Sequence, residues 1–124
     1  MSTIIIEVKA VKPADFHLLK DVLNNYVSVQ KTLSEIMTNP RRYMKDLSIA
    51  TELWYDFNTK TARQSIPAKS NLKLSLHKAL ILLDALNEFR RQASTIDGEI
   101  SRCNRFATAI DEQIPTATQL ISYK

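Results

Sequence analysis

The fold is decided by the stretch from Ser75 to Ile114, which reads SLHKALILLDALNEFRRQASTIDGEISRCNRFATAIDEQI. Apolar side chains recur through it at alternating steps of four and three residues, and only the first of these positions is polar. This spacing places the side chains along one face of an α-helix. We therefore predict a mainly α chain, a three- or four-helix bundle with long, amphipathic, heptad-patterned helices. The repeating positions are Ser75, Ala79, Leu82, Leu86, Phe89, Ala93, Ile96, Ile100, Cys103, Ala107, Ile110 and Ile114.

The only glycine of the chain, Gly98, lies inside this stretch, after the weak helix formers Ser94 and Thr95. A turn at residues 94–98 predicts an up-down-up-down four-helix bundle with short connections. The heptad phase continues across the turn, however, which favours one helix of about 70 Å running from Pro67 to Ile114. A helix of that length would need a second subunit to cover it. The sequence leaves both alternatives open.

The apolar face of this stretch is too broad for a simple two-stranded coiled coil. In a coiled coil, complementary charges flank the seam. Here the flanking positions include Leu76, Leu83, Ala85 and Phe106. Such breadth is typical of a bundle, or of a long helix packed by several neighbours.

Two further helices are predicted upstream of the stretch. Pro13 suits the first turn of a helix, and heptad steps continue from there to the break at Asn39-Pro40. A second heptad series follows and carries Trp54 and Phe57 on its apolar face. With a turn near Gly98, residues 1–124 form a single helical domain whose helices span about 13–38, 40–64, 68–94 and 97–114.

Residues 3–11 alternate between apolar and mixed side chains, which predicts a short β-strand. A lone strand exposes unpaired amides and carbonyls, so it requires a partner. One candidate is the C-terminal tail, residues 115–124, through Thr116 to Tyr123. The other is the same strand of a second subunit. The sequence does not decide between them.

Composition sets the broad class of the protein. The chain has 124 residues, 44% of them hydrophobic and 24% charged, which is ordinary for a globular domain. A single glycine argues against a Rossmann sheet or a glycine-built phosphate loop. The lone Cys103 excludes an intrachain disulfide framework, and its place on the apolar face predicts a small buried hydrophobe. With no signal-peptide pattern and no long apolar run, we expect a soluble, cytoplasmic protein.

The net charge of +4 is concentrated in the middle of the sequence. Residues 41–78 contain eight basic and three acidic side chains, and no acidic residue lies between Asp56 and Asp84. Basic side chains among short hydroxyl and amide residues can hold phosphates, although a solvated basic loop would have the same composition. Arg102 and Arg105, further along, are interpreted as exposed helix charges. The candidate polyanion-binding residues are Lys60, Arg63, Lys69, Lys73 and Lys78.

No catalytic or metal-binding pattern appears in the sequence. The two histidines lack the Glu-x-x-His spacing that metal sites in helical bundles use. His17 and Asp21 are better interpreted as a surface pair. We therefore predict no catalytic residues, no metal, no cofactor, no small-molecule substrate and no membrane partner.

The sequence favours a non-enzymatic helical interaction protein, a self-associating scaffold, adaptor or assembly factor. Its expected partners are further copies of the same chain or another protein. The alternative is a nucleic-acid-binding accessory protein that uses the basic segment 60–78. The identity of the partner and the pathway are left open. The predicted oligomer interface consists of Ile96, Ile100, Cys103, Ala107, Ile110 and Ile114.

Overall fold

The computed structural model describes residues 4–36, 41–62, 69–92 and 97–115. Over this part of the chain it has four helices and a short two-stranded antiparallel sheet, which confirms the prediction of a mainly helical bundle with an N-terminal strand. The elements are β1 (Ile5–Val11), α1 (Pro13–Ile36), α2 (Arg41–Ala62), β2 (Ser70–Ser75), α3 (Leu76–Gln92) and α4 (Asp97–Asp111).

Helices α1 and α2 form an antiparallel hairpin. Pro13 opens α1, where its missing N–H removes no helical hydrogen bond. The Lys12 backbone N–H donates to Asp15 Oδ2 at 3.0 Å and closes the first turn. The start of α1 meets the end of α2, as the Phe16 and Phe57 ring centroids are 5.9 Å apart. These bounds agree with the predicted helices 13–38 and 40–64 to within a turn.

The partner of β1 is β2, with Ile6 opposite Leu74 and Val8 opposite Leu72. The prediction of a helix over 68–94 is therefore wrong at its beginning, because α3 starts only at Leu76. The reason is a two-residue period: Leu72 and Leu74 are buried while Lys73 between them is exposed, a pattern that an extended chain satisfies and a helix does not. Neither predicted partner of the strand is β2: pairing with the tail falls on residues 116–124, which lie outside the described part, and pairing with a second subunit stays a prediction.

The opposite edge of β1 is met by one side chain of the segment after α4. The Glu7 N–H donates to Gln113 Oε1 at 2.9 Å, and Gln113 Nε2 donates to the Glu7 carbonyl at 2.6 Å. The carboxamide of Gln113 thus makes both hydrogen bonds that a neighbouring strand would make at this residue.

A bulge changes which side chains of β1 face the core. The register shifts between Val8 and Val11, and Ala10 has φ of 58° in the left-handed region. Strict alternation would put Ala10 on the same side as the buried Ile6 and Val8, whereas the bulge leaves Ala10 exposed and buries Val11 completely. The core thereby gains the larger side chain of Val11. The left-handed backbone of Ala10 costs about 1–2 kcal/mol.

Helices α3 and α4 are antiparallel, which decides between the two alternatives for the chain near Gly98. Arg90, at the end of α3, donates to Asn104 Oδ1 at 2.6 Å. Leu83, about two turns into α3, shares a surface hollow with Asp111 at the end of α4. A single helix from residue 67 to 114 is therefore excluded. Residues 93–96, which connect the two helices, lie outside the described part.

One core joins the two sheet strands and all four helices. The heptad positions Ala79, Leu82 and Leu86 of α3 face this core, as do Cys103 and Ile110 of α4. No described helix is long and apolar enough to cross a membrane. The side chains that are both large and fully buried are Phe16, Phe57, Phe106, Ile6, Leu19, Leu23, Leu53, Leu82, Leu86, Ile110, Val11 and Val22.

Candidate interaction surfaces

The predicted oligomer interface on α4 is mostly internal. Cys103 and Ile110 are 0% exposed and Ala107 is 5% exposed, all within a single chain. The prediction of an interface is therefore wrong for these three residues, because the reversal before α4 folds its apolar face onto α3 and the sheet. Ile100 and Ile114 are partly buried, and Ile96 lies outside the described residues.

The α1–α2 hairpin carries an apolar surface that sequence analysis did not single out. The buried residues of α1 all lie between Asp15 and Tyr26. At 24 residues, α1 is about 36 Å long, whereas α3 has 17 residues and is about 26 Å long. The C-terminal part of α1 and the N-terminal part of α2 therefore extend beyond α3. We call residues 27–36 and 41–49 the distal hairpin.

Within the distal hairpin no described side chain is buried. Ile36, at the end of α1, is 69% exposed, and Met44, in the first turns of α2, is 56% exposed. The other exposed large apolar side chains of the described residues lie apart from one another, on β1, on the C-terminal half of α2 and on α3. Single exposed apolar residues are ordinary, but a group at one end of the molecule marks a contact surface. The partly buried apolar side chains that continue this surface are Val27, Val29, Leu33, Leu47 and Ile49.

An open groove of about 780 Å³ separates the distal hairpin from the end of α3. Three carboxylates line it, Asp46 from α2 and Asp84 and Glu88 from α3. Glu88 accepts hydrogen bonds from Arg91 and, at 2.7 Å, from Gln92 Nε2. The remaining lining residues are Tyr26, Gln30, Tyr43, Asn87, Arg90 and Arg91.

Asp46 and Asp84 influence the pKa values of groups in this groove. Partial burial, and then the negative charge of Asp46, raise the pKa of Asp84 above its usual range. Burial also raises the pKa of Tyr26 well above its ordinary value, with further contributions from Asp46 and Asp84. The negative charges of Asp46 and Asp84 therefore disfavour each other when both groups are ionised.

The structure brings together part of the predicted polyanion site. Lys60, Lys73 and Lys78 line one shallow cleft of about 420 Å³ between α2 and β2. Lys78 is already paired, however, with its Nζ 2.9 Å from Asp56 and 3.3 Å from Glu52. The hydrogen bond to Asp56 raises the pKa of Lys78.

The other basic residues of that prediction differ in their surroundings. Lys73 is exposed and lies opposite Glu7 across the sheet. The Nζ of Lys60 is 5.5 Å from the centroid of the Phe16 ring, a cation–π contact. Lys69 is exposed, and Arg63 lies outside the described residues. The cleft therefore offers fewer free cations than the sequence predicts.

Arg102 and Arg105 have a structural task that the sequence did not indicate. Asp15 is 2% exposed, and its carboxylate lies 3.0 Å from Arg105 and 3.5 Å from Arg102. Together with the Lys12 N–H, these donors satisfy the buried carboxylate and fasten α4 to the start of α1. Both arginine side chains are partly exposed, as the sequence predicts, but they also bind Asp15. No signal in a single sequence pairs residues so far apart.

Within residues 4–36, 41–62, 69–92 and 97–115, no group of three or more His, Cys, Asp or Glu side chains is placed to hold a metal ion. Burial raises the pKa of the Cys103 thiol, which disfavours the thiolate that a nucleophile or a metal ligand requires. Comparison of the chain with known protein families, curated proteins and solved structures gave no match. Arguments about function therefore start from the surfaces described above.

Proposed function

We propose that this protein is a non-enzymatic interaction protein that self-associates through the distal hairpin and serves as a scaffold, adaptor or assembly factor. The observation that carries the proposal is the exposure of Ile36 and Met44 on a helix pair that extends beyond its covering layer. Cover from a second copy would remove this apolar surface from water, which is worth about 25 cal/mol for each Å².

The charges around the distal hairpin are compatible with a second copy of the same surface. The distal hairpin carries the exposed basic side chains of Lys31, Arg41 and Lys45 and the acidic side chains of Glu35 and Asp46. A two-fold axis brings the same surface of both copies together, and away from the axis a residue meets a different residue of the partner. Basic side chains of one copy can thereby face carboxylates of the other.

The test is the solution mass of the wild type and of Ile36→Glu/Met44→Glu. We expect the wild-type mass, from size exclusion with light scattering over a tenfold concentration range, to rise above 14.2 kDa. The double variant should remain at the monomer mass with unchanged helical circular dichroism, because both side chains are exposed and the fold does not depend on them.

Tyr55→Glu is the matched control, since Tyr55 is 59% exposed on the other half of α2. It should associate as the wild type does. A wild type that stays monomeric at every concentration contradicts the proposal, as does a double variant that still associates.

Nucleic-acid binding remains the alternative proposal, and the shared cleft of Lys60 and Lys73 supports it. Neutralising Lys69 and Lys73 to Gln should weaken binding to single- or double-stranded DNA of mixed sequence, and the affinity should fall steeply with salt. Lys31→Gln, on the distal hairpin, is the control. Absence of binding at 50 mM salt would remove this alternative.

A further inference from the structure

The outer edge of β1 is closed by one side chain of the segment that follows α4. Gln113 Oε1 accepts the Glu7 N–H at 2.9 Å, and Gln113 Nε2 donates to the Glu7 carbonyl at 2.6 Å. In an antiparallel pair the N–H and C=O of one residue lie on the same side of its strand, so both groups of Glu7 point away from β2. The carboxamide of Gln113 thus occupies the position of a third strand at this residue.

This carboxamide is held in place by α4 and by the turn that ends it. Gln113 Nε2 also donates to the Ala109 carbonyl at 2.8 Å, which uses the second of its two hydrogens. The backbone N–H of Gln113 donates to the Ile110 carbonyl at 3.0 Å and fixes the turn. Although Gln113 is exposed, its amide is therefore oriented toward β1 by several bonds. We call the paired hydrogen bonds between Gln113 and Glu7 the Gln113 latch.

An open groove of about 660 Å³ lies beside the Gln113 latch, between β1 and α4. Glu7, Val8, Lys9 and Ala10 form its β1 wall, so the edge continues past the latch toward the bulge. Backbone groups that point to one edge recur at every second residue of a strand, which brings the N–H of Lys9 to the same edge as that of Glu7. An extended chain that displaces Gln113 therefore finds room beside β1 and an edge to pair with.

The charges on β1 select the chain that fits this edge. Glu7 and Lys9 lie on the solvent face of the strand, opposite the buried Ile6 and Val8. An antiparallel copy of β1 centred on Val8 places each Glu7 opposite Lys9 of the other copy, which gives cross-strand pairs of opposite charge. Centring the pair on Glu7 would bring the two Glu7 carboxylates together, which disfavours that register. In one register β1 is thus complementary to itself.

We propose that the outer edge of β1 is a latent pairing site for β1 of a second copy, and that the Gln113 latch keeps it closed. Pairing replaces the latch bonds of Glu7 by equivalent bonds from the other copy, with little gain in number. Because Gln113 belongs to the same chain, it has the higher effective concentration and holds the edge at ordinary protein concentrations. A contact that draws Gln113 away from Glu7 exposes the edge, and two copies then join their sheets around a two-fold axis.

This site is separate from the apolar surface of the proposed function. The distal hairpin starts at residue 27, about 20 Å along α1 from the first turn that follows β1. Opening of the β1 edge does not require association through the distal hairpin.

The experiment compares solution masses by size exclusion with light scattering over a tenfold concentration range. Every protein carries Ile36→Glu/Met44→Glu, so that the distal hairpin does not contribute. We expect Gln113→Ala to approach twice the monomer mass as the concentration rises, while its parent stays monomeric and circular dichroism shows unchanged helices. Glu112→Ala is the matched control and should stay monomeric, since Glu112 is exposed, precedes Gln113 and lines the same groove.

A charge reversal tests the register of the pair. In the Gln113→Ala protein, Lys9→Glu should weaken association at least tenfold, because it places like charges opposite each other on both sides of the two-fold axis. Adding Glu7→Lys to Lys9→Glu restores opposite charges and should recover the association.

Amide hydrogen exchange identifies what covers the edge. The Glu7 N–H should exchange slowly in the parent, rapidly in dilute Gln113→Ala and slowly again once that variant associates. The proposal is overturned if Gln113→Ala stays monomeric at every concentration, or if Lys9→Glu leaves its association unchanged. A protected Glu7 amide in monomeric Gln113→Ala would assign the edge to another segment of the same chain and would overturn the proposal as well.

Discussion

Asp15 combines three bonding roles in one buried carboxylate. It accepts the Lys12 N–H that closes the first turn of α1, and it receives Arg102 and Arg105 from α4. The carboxylate is withdrawn from water, but the arginine side chains are 36% and 53% exposed. Removing the carboxylate therefore leaves two cations that water can still solvate. The loss should be nearer that of a helix cap than that of a fully buried ion pair.

We expect Asp15→Ala to lower the free energy of unfolding by about 2 kcal/mol. Urea denaturation followed by circular dichroism measures the change. Asp21→Ala, at an exposed position of the same helix, should change it by less than about 0.5 kcal/mol. Equal effects of the two substitutions would mean that the contacts of Asp15 with α4 do not contribute to stability.

Asp84 gives the stability a dependence on pH. Its pKa is raised in the folded state by partial burial and by Asp46, so folding disfavours the ionised form. The penalty is present at neutral pH and disappears as the pH falls below the unfolded pKa of about 3.9, where the group is protonated in both states. Asp84→Asn should thus raise the urea midpoint at pH 7 and leave it unchanged at pH 3. A lower midpoint at pH 7 would refute this account.

At the level of elements, the two upstream helices were predictable because Pro13, the Asn39-Pro40 break and long heptad series all favour the same bounds. Strand β2 was not, because its alternation covers only Ser70–Ser75 and borders directly on the heptads of α3. The sequence did not decide between a turn before α4 and one continuous helix, because the apolar spacing is the same whether a helix packs on its own chain or on another.

The candidate surfaces were less predictable than the fold. In sequence, the apolar residues of the distal hairpin resemble those that α3 covers, and only the difference in length between α1 and α3 exposes them. The groove joins Asp46 and Asp84, which belong to different helices and have no shared motif. Among the predicted polyanion residues, Lys60 and Lys73 do line one cleft, whereas the pairing of Lys78 with Asp56 depends on how α2 meets α3 and could not be predicted.

Substitutions in β2 test the strand against the helix that the sequence predicted. Leu74 is 3% exposed and faces the core opposite Ile6. We expect Leu74→Ala to cost about 2–4 kcal/mol in urea denaturation, as large-to-small changes in a core do. Lys73→Ala, one residue away on the exposed face, is the control and should cost less than about 0.5 kcal/mol. Similar losses at both positions would be inconsistent with the observed register.

For the whole molecule, Cys103 reports how the core opens. It is 0% exposed, and burial raises the pKa of its thiol. We expect iodoacetamide to label it slowly in buffer and rapidly in urea above the unfolding midpoint, because the thiol reacts only from opened molecules. The rate should also be independent of protein concentration. Faster labelling on dilution would place Cys103 in a contact between subunits instead.

The pairing of β1 with β2 has a consequence for the order of events during synthesis. Ile5 pairs with Ser75, and the whole α1–α2 hairpin lies between the two strands. At about 5–20 residues per second, β1 leaves the ribosome several seconds before its partner exists. The hairpin, whose contacts are local, has time to form in that interval. The sheet is therefore the late, cooperative closing step, and β1 is a nascent strand that must remain unpaired until then.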